Sequence, residues 1–180
     1  METLECIKTR RSIRKFKDEL VPIEVVNEAI DAVRYSPSWK NTFVSRFYLV
    51  NDKTKIDYIA NGLVRGFEWN KGILLGTRNL IVVAAKKGRS GVASDGSFES
   101  NKENAYMYFD NGIATSNLTL ALHDLGLASV ILGIIDYEGI HSYLELPEDV
   151  EVVALLPFGY GIEKPNEKVL RPQEKIFKIL

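Results

Sequence analysis

An α+β fold is the expectation for this chain, and three features of its sequence carry it. Apolar strand candidates and amphipathic helix candidates alternate irregularly, without the repeated strand–helix–strand units of a parallel wind. Residues 79–85 (NLIVVAA) are apolar almost throughout, the pattern of a central strand covered on both faces. Residues 101–125 form the longest helical stretch, with Ala114, Asn117, Leu118, Ala121, Leu122 and Leu125 on one face.

The other elements follow in chain order. Residues 2–9 read as a short helix. A clearer one begins at Pro22, where a missing N–H costs nothing, and carries Val25, Val26, Ala29, Ile30 and Val33 at helical spacing. It must stop before Ser36-Pro37, because the residue before proline avoids helical geometry. Residues 46–50 (RFYLV) read as a strand, and Asp52 caps a helix bearing Ile56, Ile59 and Ala60. Residues 61–78 hold Gly62, Gly66, Gly72 and Gly76 with no clear period, and residues 86–100 are Gly/Ser-rich. Both are expected to be mobile loops. Gly126 ends the long helix, and a strand at 128–132, a helix near 137–145 and a strand at 150–156 follow. A polar tail punctuated by Pro165 and Pro172 then ends in Ile176, Phe177, Ile179 and Leu180. Apolar residues closing a polar tail need a surface to bury on, so residues 162–180 are expected to cross a partner subunit.

Composition narrows the function classes. At 180 residues the chain fits one domain, 1–180, and 46% apolar with 26% charged residues is ordinary globular composition. The net charge of −1 gives no global footprint for nucleic acid or an anionic membrane. One cysteine, Cys6, excludes an intrachain disulfide and a CxxC metal site, and its expected role is packing. Only two histidines, His123 and His141, are present, and both read as helix-surface residues rather than catalytic groups or metal ligands. No apolar signal segment or membrane-length run is visible, so a cytoplasmic location with no membrane partner is expected.

Charge is local instead. Residues 8–17 carry six basic side chains (Lys8, Arg10, Arg11, Arg14, Lys15, Lys17) and no acid, whereas residues 136–151 carry six acids and read as a solvated face. Guanidiniums present planar forks of donors, so Arg10, Arg11, Ser12 and Arg14 can chelate a phosphate. In extended backbone, Arg10, Ser12 and Arg14 face one way while Ile13 packs behind. The same cluster also reads as a solvated basic turn. Ser36-Pro37-Ser38-Trp39-Lys40-Asn41 supplies hydroxyls and an amide on a fixed turn, suited to a heterocycle edge, and Gly126, Ala128 and Ser129 form a glycine-started turn where backbone N–H groups approach a ligand. Each of these alone is also an ordinary turn.

In this order the segments resemble the nitroreductase family. Its Arg-Arg-Ser-x-Arg-x-Phe stretch is matched by Arg10, Arg11, Ser12, Arg14 and Phe16, and its Pro-Ser-x-x-Asn by Pro37, Ser38 and Asn41. Its Asn-Leu-x-Leu-Ala helix and Leu-Gly-Leu-Gly-Ser turn are matched by Asn117, Leu118, Leu120, Ala121, Leu125, Gly126, Leu127 and Ser129. Its Gly-Tyr is matched by Gly159 and Tyr160, and its basic-Pro tail by Arg171 and Pro172. Ala128 stands where the family usually has Gly, Asn79-Leu80 where it has Ala-Pro, and Phe43-Val44-Ser45 replaces a common Gln-Pro-Trp.

The resemblance implies a mainly antiparallel central sheet flanked by helices, in a homodimer with an exchanged C-terminal tail. It implies an FMN-dependent oxidoreductase that takes hydride from NADH or NADPH and passes it, in ping-pong fashion, to a nitroaromatic or quinone-like acceptor. The flavin carries the chemistry and the protein supplies binding and electrostatics, so no side chain is catalytic in the narrow sense. Implied cofactor-binding residues are Arg10, Arg11, Ser12, Arg14, Gly126, Ala128, Ser129, Lys168 and Arg171, with Arg14 supporting charge near flavin N1 and O2. Pro37, Ser38 and Asn41 would come from the other subunit. Phe67 and Trp69 are candidate acceptor contacts on a lid, or else core residues under a short loop. Dehalogenation, dehydrogenation, and a flavin-carrying sensor module with negligible turnover stay open as alternatives.

Overall fold

The computed structural model describes residues 1–165 and 167–180. Its elements are α1 (Thr3–Thr9), α2 (Ile23–Val33), a single 3-10 turn (Trp39–Asn41), β1 (Ser45–Val50), α3 (Lys53–Gly62), α4 (Glu68–Leu75), β2 (Asn79–Lys86), α5 (Ala105–Asp124), β3 (Ala128–Ser129), α6 (Tyr137–Tyr143) and β4 (Val150–Gly159). A second 3-10 turn, Gln173–Lys175, lies in the tail. The strands form one sheet in the order β1-β2-β4-β3, every pair antiparallel.

Strand β2 is central, as its apolar run predicts. Side chains alternate across a strand, so Leu80 and Val82 enter one core while Ile81 and Val83 enter the other. The first core packs β2 and β4 against α3, α4 and α6, around Ile56, Ile59, Leu74, Ile140 and Leu155. The second packs the opposite face against α2 and α5, around Ala29, Leu118, Leu122, Leu156 and Phe158. In β4, Val83 pairs with Ala154 and Ala84 with Val152, leaving Val153 as the extra residue of a β-bulge.

The start of the long helix and the far end of the third strand differ from the sequence expectation. Helix α5 begins at Ala105, because residues 101–104 form turns. It ends in a Schellman arrangement: Leu127 N–H donates to the Leu122 carbonyl (2.8 Å), and Gly126 takes the left-handed φ of 78° that this requires. The strand expected over 128–132 keeps its path but not its ladder. Val130 N–H donates to the Pro157 carbonyl (3.2 Å), yet proline has no N–H to return; Leu132 and Leu155 then exchange both bonds (2.8 and 3.0 Å). Pro157 therefore shortens β3 to two residues.

Residues 61–78 are not the expected loop. They hold helix α4, which buries Asn70, Ile73 and Leu74. Gly66 and Gly76 bound it and only Gly72 lies inside, where glycine costs about 1 kcal/mol relative to alanine. Burying Ile73 and Leu74, at roughly 1.5–3 kcal/mol each, outweighs that cost. Residues 86–100 match the loop expectation in composition, with turns, an isolated Val92–Phe98 bridge and an Asx turn in which Ser97 N–H donates to Asp95. They are nevertheless tied down, as described below.

Candidate functional site

The basic segment is held in place by backbone pairing. Ser12 bridges Ser129 in parallel, and Ile13 N–H donates to the Ser129 carbonyl (3.1 Å). On its other edge, Lys17 N–H donates to the Tyr160 carbonyl (2.8 Å) and Ile162 N–H to the Lys15 carbonyl (3.1 Å), around a Phe16–Gly161 bridge. Ile13 and Phe16 are buried in the first core. Ser12 and Arg14 are exposed and Arg10 is half-buried, with Ile13 buried between them.

A cavity of about 420 Å³ opens beside this segment. Its walls include Arg10, Arg11 and Ile13, then Thr119 and His123 of α5, Gly126 to Ser129, and Gly161 and Glu163 from the chain after β4. Five of the predicted cofactor residues thus converge: Arg10, Arg11, Gly126, Ala128 and Ser129. Ser12 and Arg14 adjoin them in the chain. Pro37, Ser38 and Asn41 lie in the loop after α2, and Lys168 and Arg171 in the exposed tail; none of these five lines the cavity.

The charges here are largely uncompensated. Among the described residues, Arg10, Arg11 and Arg14 make no ion pair. Arg11 turns back so that Nη1 donates to the carbonyls of Lys8 (2.6 Å) and Arg10 (2.9 Å), covering the end of α1. Arg14 Nη1 donates to the Ser12 carbonyl (3.2 Å), and Arg14 N–H donates to Glu163 Oε1 (2.7 Å). His123 Nε2 lies 2.9 Å from Thr9 Oγ1. Burial first, and the neighbouring Arg10 charge next, push its imidazole below the ordinary value. At neutral pH His123 is therefore uncharged, and the guanidiniums supply the positive potential. This donor set fits a phosphate, with Glu163 engaged on the backbone of Arg14.

Thr119, His123, Gly161 and Glu163 escaped the sequence reading. Thr119 and His123 are one helical turn apart, and Gly126 follows three residues later, so the spacing carried a faint signal for one wall. Cys6 is buried with its thiol against the Leu120 carbonyl (3.5 Å), and burial pushes it up, in keeping with packing.

The second constellation is a turn of unusual backbone. Lys40, Asn41 and Phe43 take φ of 45°, 55° and 48°, the left-handed region that non-glycine residues rarely occupy. Ser38 Oγ accepts from Phe43 N–H (3.0 Å), and buried Ser36 Oγ accepts from Asn117 Nδ2 (2.8 Å). Phe67 and Trp69 stand at the start of α4, 39% and 66% exposed. They do not fill the core, which leaves them free to act as contacts.

A larger cavity, about 670 Å³, lies elsewhere, between Arg65, Tyr108, the start of α6 and the first half of β4. In it the Tyr108 hydroxyl donates to Glu151, and that bond, with burial, pushes the phenol up to about 12. Among the described residues no cluster of His, Cys, Asp or Glu is arranged to hold a metal ion, and no helix is long and apolar enough to cross a membrane.

An α+β sheet whose N-terminal basic segment is clamped at an anion-fitting cavity matches one known family. The Nitroreductase family model covers residues 7–160, and the chain belongs to that family, a class of FMN-dependent, NAD(P)H-using oxidoreductases. A relative in Methanothermobacter thermautotrophicus, whose name couples NADH dehydrogenase with NAD(P)H nitroreductase, is 31% identical across 98% of this chain and 86% of its own. An iodotyrosine deiodinase of Haliscomenobacter hydrossis is 27% identical across 92% of this chain and 82% of its own. The crystal structure of a nitroreductase family protein from Clostridium novyi NT superposes with a TM-score of 0.77 at 27% identity, covering 94% of this chain and 89% of that one.

Proposed function

We propose that this protein passes reducing equivalents from NADH or NADPH, through bound FMN, to a nitroaromatic or quinone-like acceptor, the two substrates using one site in turn. The observation that carries the reading is Arg10. Its guanidinium is half-buried at the cavity and donates to no protein group among the described residues, a placement that suits a phosphate ligand. FMN held there would supply the hydride-transfer chemistry between the nicotinamide and the acceptor.

The chain's own residues bind and orient. Arg10, with the Ser12 hydroxyl, holds the phosphate end, and Arg11, Gly126, Ala128 and Ser129 shape the wall beside it. Arg14, one extended step further along, supplies positive charge toward the pyrimidine edge of the ring. Pro37, Ser38 and Asn41 serve the site of the other subunit in a homodimer, and Lys168 and Arg171 reach it from the tail. The dimer reading is supported by the tail itself, where Val169, Leu170, Ile176, Phe177, Ile179 and Leu180 stand exposed. Phe67 and Trp69 flank the acceptor.

The test is the absorbance spectrum of the purified protein, followed by NADH oxidation with a quinone and with a nitroaromatic. About one FMN per subunit and parallel double-reciprocal lines are expected. Protein that shows no flavin band and takes up no added FMN overturns the reading. The deiodinase relative favours a second reaction on the same site, removal of halide from a halogenated phenol. Halide release exceeding quinone reduction in the same preparation would select it.

A further inference from the structure

The turn at 38–43 is held only in part by its own bonds, from Phe43 N–H to Ser38 Oγ, Asn41 N–H to the Ser38 carbonyl and Thr42 N–H to the Trp39 carbonyl. Three of its residues are left-handed without being glycine, and Thr42 Oγ1 is buried with no hydrogen-bond partner. The rest of its support comes from residues 90–110. Trp39 N–H donates to Asp110 Oδ2 (2.9 Å), an oxygen that also accepts from Ser90 Oγ (2.5 Å), and Asp110 is only 4% exposed. The Trp39 ring packs on Tyr106 with centroids 4.4 Å apart. The outer anchor is Glu99. One of its oxygens accepts from Lys40 Nζ (2.5 Å) and the other from the Trp39 indole N–H (3.1 Å), so a single carboxylate grips two consecutive residues of the turn. Those two donors hold the Glu99 carboxyl below its ordinary range, so the grip is intact at neutral pH.

Glu99 sits 59 residues from Lys40, and its two bonds consume both oxygens on the turn rather than on its own loop. We propose that Glu99 is a positioning residue for the flavin site: by bridging Lys40 and Trp39 it holds the Pro37–Asn41 turn in its left-handed form, so that Ser38 and Asn41 meet the cofactor correctly. This rests on the reading that Pro37, Ser38 and Asn41 contact FMN. The segment after β2 thereby sets cofactor affinity without touching the cofactor.

The side-chain accessibilities are 64% for Lys40 and 26% for Glu99, so the ion pair is partly screened and the effect is moderate. Glu99→Gln keeps an acceptor for the indole and loses only the ion pair; Glu99→Ala loses both. The experiment measures FMN release from the holoprotein on dilution, by flavin fluorescence, together with the near-ultraviolet circular dichroism of the tryptophans. Expected are an FMN dissociation constant raised about threefold in Glu99→Gln and about tenfold in Glu99→Ala, roughly the range of one partly exposed and one further hydrogen bond. The tryptophan band should change in the same order. Unchanged FMN affinity in both variants, with an altered tryptophan band, overturns the positioning role while leaving the flavin reading intact. Unchanged affinity with an unchanged band overturns the grip itself. Wild-type protein that holds no FMN refutes the reading on which the proposal stands, and is told apart because it needs no variant.

Discussion

Gly161 lines the cavity tight against Ala128 and Ile13, and substituting it tests how the basic segment is held. A Cβ built there lies 2.9 Å from Ala128 Cβ and 3.2 Å from Ile13 Cγ2, where carbon atoms normally sit at about 3.5–4.0 Å. Ala128 cannot rotate away, because its Cβ is fixed by the β3–β4 register, in which Ala128 faces Gly159. Ile13 is buried and pinned through its N–H to Ser129. The strain must therefore move backbone, and overpacking of this kind costs about 1–3 kcal/mol. For a chain of 180 residues that is a fall of roughly 2–4 °C in Tm per kcal/mol. Ala128→Gly removes the opposing methyl at a cost of about 0.5–1 kcal/mol in backbone freedom. In the double variant the worst contact is gone, so the two changes together should cost less than their sum, by at least about 1 kcal/mol. Equilibrium urea unfolding of the four proteins measures the cycle, and FMN titration of each shows whether the segment has shifted. Gly161→Ala within 0.5 kcal/mol (about one standard surface substitution) of wild type, or strictly additive effects, would refute the packing argument.

Three further outcomes are expected. Arg10→Ala should weaken FMN binding roughly ten- to hundredfold, the loss of a charge-assisted contact of about 1.5–3 kcal/mol, whereas Arg14→Ala should slow reduction more than it weakens binding; wild-type values in both would make the cluster a solvated turn. In an absorbance titration, Tyr108→Phe should match wild type through the ordinary tyrosine range near 10 and differ by one phenol only towards about 12. The sign follows from a raised acid: the stabilisation from the Tyr108–Glu151 bond is complete below the unfolded value of 10.0 and is lost as pH rises through about 12. Trp69→Ala should change the ratio of kcat/KM for a large and a small acceptor while FMN stays bound; an unchanged ratio would remove Trp69 from the acceptor's path.

Much of the fold was legible because its signals are local. The period of α2, the apolar run of β2, the Asp52 cap donated to by Thr54 N–H (2.9 Å) and the Gly126 stop each sit within a few residues of what they determine. Helix α4 was missed because glycines at its boundaries resemble glycines inside a loop, and only tertiary burial of Ile73 and Leu74 tells them apart. Pro157 was missed as a ladder breaker because its effect falls on a strand 27 residues earlier, at Val130. Helix α5 hides more. Its buried Asp110, Asn111, Thr115 and Thr119 look like solvent-facing residues until their partners are known, and those of Asp110 and Asn111 lie 20 to 71 residues away, at Ser90, Trp39, Ser45 and Ala84.

The site divides along the same line. Arg10, Arg11, Ser12 and Arg14 were readable because a phosphate needs several donors within one short stretch, and such a stretch is a local pattern. The rest of the wall that faces them was not, because Thr119 on α5 and the pair Gly161 and Glu163 after β4 come from two separate places and meet only through β3, β4 and the end of α5. The turn at 38–43 was visible as composition but not as conformation. Left-handed backbone is normally announced by glycine, and here Lys40, Asn41 and Phe43 adopt it with only asparagine giving any hint. A conformation that local preference opposes must be held from outside, and the holders are Glu99 and Asp110, both carboxylates distant in sequence. That explains why the Gly/Ser-rich segment reads as a free loop and is not one. Its small residues let the chain turn back on itself, and its Glu99 carboxylate carries the information that the turn cannot encode locally.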